Sequence, residues 1–397
     1  MRFLKGNELL FRLVIINICS GISVGLLNLI IPLYALSLSA TNFEIGLIKA
    51  MMGVGDLLII LPAGFLIDHF GSKRMYSASA LTGGLVIVVL ICVGSPRMLL
   101  LMMIMYGITR TVRSTALNAS FFQNIETIGV KKAGIYRGSI NHGVSFLGSL
   151  IGGIAVIYLN YTHYFLLSSM FLVIPVVSIW VFTHINGKGN YPEKNHSTGF
   201  FESFPYYRKL FRNRSMMGAT FVDGMNSAFF NVFITFITVL VVKDLALSAS
   251  TAAILITIRG SIQILVIFFG GTLMYRNQNN LYTLSFVMTI ISLLMLGTAT
   301  SVPVLVLASA VAGCFSGVMI LLTFSSVGKI DGEKGKIASI FAIGGSLGSI
   351  IGPVVGGAIG EFFGIPAIFY AFIPVYAAMA AYCILLERKR IRNGEFC

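Results

Sequence analysis

Twelve apolar runs, each about as long as a bilayer is thick or longer, decide what this chain can fold into. They cover roughly 10–38, 45–67, 75–94, 98–122, 135–158, 163–184, 215–242, 249–274, 281–299, 302–327, 336–360 and 366–386. A helix crossing a membrane needs about 20 mostly apolar residues, because in hydrocarbon each backbone N–H and C=O must be satisfied within the segment. The runs therefore predict an all-α membrane protein with twelve spans. With 56% hydrophobic and only 11% charged residues, and a mean hydropathy of +0.90, the chain is excluded from the soluble classes. The net charge of +14 does not indicate nucleic acid, because the basic residues sit between apolar runs and not over a polar domain. The five cysteines (Cys19, Cys92, Cys314, Cys383, Cys397) show no CxxC or metal spacing, so neither a disulfide framework nor a metal site is expected. The first run, after Arg2 and Lys5, exceeds the apolar core of a cleavable signal and reads as a retained span.

Lys and Arg are distributed unevenly between the two sets of loops. They crowd the N-terminus, 73–74, 131–137, 188–214, Arg276, 329–336 and 388–392, whereas the alternate loops hold only Arg97 and Lys243. By the positive-inside rule both termini are expected in the cytoplasm. Residues 185–214 are polar, carry two prolines and fall at mid-chain. They predict a linker between an N-terminal half (1–184) and a C-terminal half (215–397). The mixed aromatic and basic stretch 200–214 suits either a short helix on the anionic inner leaflet or a solvated tether. The halves also repeat. Residues 146–153 (FLGSLIGG) match 346–353 (SLGSIIGP) at an offset of 200, and 26–31 (LLNLII) echo 229–234 (FFNVFI) at 203.

Between the second and third runs lies Gly64-Phe-Leu-Ile-Asp68-His-Phe-Gly71-Ser-Lys73-Arg74. Gly71 suits the positive φ of a tight hairpin, and Gly64, one turn before Asp68, would admit a close helix neighbour. The pattern resembles the loop signature between helices two and three of the major facilitator superfamily. That resemblance, which extends over the whole chain, implies two six-helix halves related by pseudo-twofold symmetry. It also implies that Asp68 and Arg74, with Gly64, Gly71 and Lys73, belong to a cytoplasmic network that governs conformational change. The corresponding stretch of the second half, 271–280, lacks an acid. Gly348-x-x-x-Gly352-Pro353-x-x-Gly356-Gly357-x-x-Gly360, in the eleventh run, resembles the family's antiporter signature, which the family carries in the fifth. A packing seam without directional meaning explains it equally well.

Six ionisable residues fall well inside the runs: Lys49, Asp56, Arg110, Arg113, Asp223 and Arg259. Each costs about 2.5–3.5 kcal/mol on insertion scales, so such groups face a wet cavity or one another. Arg110-x-x-x-Ser114 resembles a fourth-helix R-x-x-x-G signature. The resemblance implies proton coupling for Arg110. Asp56 or Asp223 is the expected proton carrier, because an Asp beside an Arg can take a proton in a dry site and lose it when the Arg approaches; a structural Asp56–Arg pair is the plainer reading. Asn17, Asn28, Arg113, Asn141, Asp223, Arg259 and Gln263 complete a candidate substrate-binding set on the polar stripes of five spans. Four cations against two acids favour an anionic or zwitterionic ligand, a count that weakens if Lys49 snorkels to the outer surface.

No P-loop, zinc-protease or nucleophile-elbow pattern occurs, so no enzyme is expected. The reading is a secondary transporter without cofactor or metal, a multi-pass protein of a bacterial cytoplasmic membrane working as a monomer. Its expected partners are a small molecule, protons and the bilayer, with no nucleic acid. Proton-coupled efflux leads, and proton-coupled uptake and a lipid flippase on the same fold are the rivals.

Overall fold

Among the described residues, twelve helical rods follow the twelve apolar runs. The computed structural model describes residues 2–128, 133–182, 212–270, 278–328, 330 and 334–392, and every regular element among them is helical. The rods of the first half are α1 (Arg2–Ser37), α2 (Asn42–Phe70), α3 (Ser72–Val89), α4 (Pro96–Gln123), α5 and α6 (Tyr161–Phe182). Rod α5 runs from Ala133–Asn141 through a π-turn, His142–Leu147, into Gly148–Tyr158. The second half holds α7 (Arg214–Val239, ending in a π-turn at Leu240–Asp244), α8 (Ala249–Phe269), α9 (Gln278–Thr298), α10 (Val302–Gly328), α11 (Lys334–Phe363) and α12 (Ile365–Ala371 with Ile373–Arg392). Among the described residues nine helices pass a length-and-composition test for membrane crossing, and α6 contributes a shorter apolar stretch, Tyr161–Val177. The other two rods, α2 and α4, carry Lys49, Asp56, Arg110 and Arg113. Most of the expected linker lies outside the described residues, as does 271–277.

Local chemistry explains the ends of α2. Thr41 and Glu44 form a reciprocal capping box at its start. Its last turn closes on Gly71, whose φ of 85° is the positive value expected for the hairpin and whose N–H donates to the Ile67 carbonyl at 2.8 Å. Gly64 departs from expectation. Among the described residues a Cβ placed there would meet nothing within 4 Å, so no described helix packs closely against it. Leu58 and Phe65 on the same helix are strongly exposed, as are Leu85, Ile157, Phe269 and Phe362 elsewhere on the bundle. A lipid tail would cover such a surface.

The two halves repeat in three dimensions as the short matches predict. Gly21 and Gly25 of α1 bring it against Gly143 and Gly148 of α5; Gly224 and Ala228 of α7 meet Gly344 and Gly348 of α11. Gly107 of α4 lies on the Met52 backbone of α2, and Gly313 of α10 lies on the Arg259 backbone of α8. The turns after α1 and α7 each hold one non-glycine residue at positive φ, Ser39 (60°) and Ala246 (50°).

The halves meet along α2–α11, α5–α8 and α1–α7. The α2–α11 seam explains the glycine run in the eleventh span. Gly348 and Gly352 face α7 within the second half, whereas Gly357 meets Gly46 of the first half. Among the described residues, three hydrogen bonds join the halves at the end away from both termini. Asn42 Nδ2 donates to the Gly360 carbonyl (2.8 Å), Lys243 Nζ to Asn42 Oδ1 (3.3 Å) and the Phe43 N–H to Glu361 Oε2 (3.3 Å).

Candidate functional site

Small residues position the charged centre of the first half. A Cβ on Gly55 would collide with the Ile104 carbonyl, and one on Gly107 with the Met52 carbonyl, so the α2 and α4 backbones touch. One residue beyond Gly55 and three beyond Gly107, Asp56 and Arg110 then face each other across the crossing. The guanidinium binds the carboxylate in a fork: Arg110 Nε donates to Asp56 Oδ1 at 3.2 Å, and Nη2 donates to Oδ2. Thr111 Oγ1 adds a third donor to Oδ1 at 2.6 Å. Asp56 is 8% exposed, whereas the Arg110 side chain keeps 28% of its surface open. One turn further along α4, Ser114 is exposed. The pair thus sits at the border between packed and open structure.

Two turns from Asp56 along α2, Lys49 is 7% exposed and donates to Asn28 Oδ1 of α1 at 2.6 Å. It stays inside the bundle and does not snorkel. Arg113 points away from Arg110. It is 1% exposed, its Nε donates to Ser20 Oγ of α1 at 2.7 Å, and Nη1 and Nη2 are buried without a hydrogen-bond partner. Three residues turn a helix by about 300°, so the two side chains point some 60° apart. One turns to α2 and the other to α1.

In the second half, the crossing of α8 and α10 holds a neutral counterpart of the ion pair. Gln263 Nε2 donates to Ser316 Oγ at 3.0 Å, and Ser316 donates in turn to Asn226 Oδ1 at 2.7 Å. Gln263 stands four residues beyond Arg259 on α8 as Asp56 stands four beyond Met52 on α2. Ser316 likewise follows Gly313 on α10 as Arg110 follows Gly107 on α4. Arg259 itself, 1% exposed, donates to Ser316 Oγ at 3.3 Å and lies over three phenyl rings of α7. Its Cζ is 4.8 Å from the Phe230 centroid, 5.2 Å from Phe233 and 5.7 Å from Phe229. Such contacts partly replace the hydration the guanidinium lost.

The other candidates scatter. Asn17 is committed to α5 through the Tyr136 carbonyl (3.1 Å) and Ser139 Oγ (2.9 Å), which makes it a helix-packing residue in this state. Asn141 is exposed, and half-buried Asp223 faces Gly345 of α11. In the hairpin, Lys73 is half-buried and Arg74 exposed. Thr111, Ser20, Ser316 and Asn226 were not singled out by sequence. A hydroxyl in an apolar run usually bonds its own helix, as Thr109 does to the Tyr106 carbonyl, so pattern alone cannot select the few that bond across helices.

The family model described as Major Facilitator Superfamily matches residues 13–237 and again 216–395, nearly the whole chain in two repeats. The chain belongs to the major facilitator superfamily. It is accordingly a multi-pass membrane transporter. Solved major facilitator structures share its fold. The crystal structure of the nucleoside transporter NupG is 15% identical with a TM-score of 0.79, over 95% of this chain and 98% of that one. A bacterial homolog to the human lysosomal transporter Spinster, inward-facing and unoccupied, is 15% identical at 0.77 over 98% of each chain. The human organic anion transporter MFSD10 (TETRAN) is 14% identical at 0.67, over 95% of this chain and 99% of that one. A search of curated proteins by sequence finds no match.

Proposed function

We propose that the chain is a proton-coupled exporter of a small anionic or zwitterionic organic solute. It works by alternating access as a monomer in a bacterial cytoplasmic membrane, with both termini inside. The observation that carries this reading is Asp56, a carboxylate held by Arg110 and Thr111 at the edge of an open region. A carboxyl beside an Arg keeps its charge while the Arg is near and takes a proton when the Arg leaves or the site dries. A helix movement that separates α2 from α4 would therefore exchange a proton. The equivalent crossing of the second half offers Gln263 and Ser316, which cannot do this work. Asp223 is a second candidate carrier, placed where α7 meets α11.

The excess of cations over acids within the rods supports an anionic or zwitterionic ligand, with Asn28, Arg113, Asn141, Asp223, Arg259 and Gln263 as its binding set. Arg113 and Arg259 are covered in this state. Here they supply positive field, and they reach substrate directly in a state that uncovers them. The contacts at the end away from the termini support an inward-facing assignment. Export rests on the resemblance of Gly348–Gly360 to an antiporter signature, here a structural seam.

Transport in proteoliposomes with an imposed pH gradient tests the reading. Uptake of organic carboxylates, including metal-chelating ones, should follow the gradient, and lipophilic cations should not. Movement of the cations alone would overturn the anionic assignment. In the hairpin, Asp68→Asn is expected to lower the transport rate at least tenfold at near-normal membrane abundance. Full transport by that variant would reduce the stretch 64–74 to a topological loop.

A further inference from the structure

We propose that a cavity walled by both halves, at Asn28, Lys49, Tyr106 and Thr235, binds one small anion of the halide class. The cavity has a volume of about 10 Å³ and lies between α1, α2, α4 and α7. That is about the space of one water, too small for an organic substrate. Most of its wall is apolar, with Ile31, Ile48, Met52 and Met103 among its lining residues. Its lining residues bring four polar groups, the Lys49 ammonium, the Asn28 amide and the hydroxyls of Tyr106 and Thr235. The Lys49 ammonium carries three hydrogens and gives one to Asn28 Oδ1. The hydroxyls of Tyr106 and Thr235, both residues 0% exposed, are buried without any hydrogen-bond partner. Asp56, on the same helix as Lys49, is already engaged by Arg110 and Thr111.

A buried cation that lines the same cavity as two unpartnered hydroxyls leaves a place for an acceptor, and a negative one balances the charge as well. One water could take hydrogen bonds from these groups, but it would leave the ammonium uncompensated. A chloride is slightly larger than a water. The long flexible side chains of Lys49, Met52 and Met103 can yield the difference.

The site is also built from both halves. Asn28, Lys49 and Tyr106 come from α1, α2 and α4, and Thr235 comes from α7. Parting of α7 from the first half would remove one donor and open the cavity. The bound anion therefore favours the conformation seen here, the only step that rests on the alternating-access reading.

The test uses the purified full-length protein in detergent and follows thermal unfolding in sodium chloride against sodium gluconate at equal ionic strength. Chloride and bromide should raise Tm by several degrees in a saturable way, and sulfate, too large for the cavity, should not. Lys49→Met should abolish the response. Tyr106→Phe and Thr235→Val keep the shape and remove one donor each. Each should raise the half-saturating chloride concentration roughly tenfold, equivalent to about 1.4 kcal/mol. No chloride response in the parent protein would leave a water as the occupant and overturn the proposal. An unchanged response in both Tyr106→Phe and Thr235→Val would overturn it too, even if Lys49→Met failed to fold. The measurement involves no transport, so its failure and that of the proposed transport function are separable.

Discussion

Asp56→Asn is expected to abolish proton-driven accumulation of substrate while leaving substrate exchange across the membrane within a few fold of the parent. Asparagine matches aspartate in size, and its carbonyl can still accept from Thr111 and Arg110, so the α2–α4 crossing should survive. It cannot take up a proton. Removing one partner of a fully buried ion pair destabilises by about 3–5 kcal/mol. The partial exposure of the Arg110 side chain reduces that figure, so the variant should reach the membrane. Accumulation and exchange measured side by side in proteoliposomes separate the two effects. Undiminished gradient-driven accumulation by Asp56→Asn would remove this carboxylate from the coupling mechanism.

Gly46→Leu is expected to stop transport for a mechanical reason. At Gly46 a Cβ would run into the Pro353 carbonyl and approach the Gly357 Cα to 3.0 Å. Both partners are backbone of α11 and cannot rotate away. A leucine should hold α2 and α11 apart and trap the transporter open at the end where Asn42 meets Gly360. Ser349→Cys, placed in the same seam beside Gly53, reports the opening in a cysteine-free background. A membrane-impermeant thiol reagent added outside should label it at least tenfold faster when Gly46→Leu is present. Equal labelling would contradict the wedge, and faster labelling only from the cytoplasmic side would reverse the proposed orientation.

The rods were legible in the sequence because a membrane helix must satisfy its own backbone and therefore writes its length as an apolar run. Gly71 was legible for a similar reason, since one position of a tight hairpin demanded positive φ. The repeat showed as well, because glycines that let α1 approach α5 have counterparts where α7 approaches α11. Gly64 was misread. A glycine suits a close contact but does not require one, and only the neighbouring helices decide.

The candidate site was half visible. Asp56 and Arg110 stood out because charge inside an apolar run is expensive. The direction each charge takes depends on helix rotation and on which backbones touch. Arg113 therefore turned to Ser20, and Lys49 remained inside on Asn28. Tyr106 and Thr235 gave no signal at all. A tyrosine or threonine in an apolar helix is ordinary, and its lack of a partner emerges only from the packed structure.

If protons move against substrate through Asp56, a dye enclosed in proteoliposomes should record the exchange as a change of luminal pH. Addition of substrate outside, with no imposed gradient, drives it inward. An exchanger must then release protons from the lumen, so the lumen should turn alkaline with the parent protein and stay unchanged with Asp56→Asn. Luminal acidification, or an alkalinisation that persists in Asp56→Asn, would contradict it.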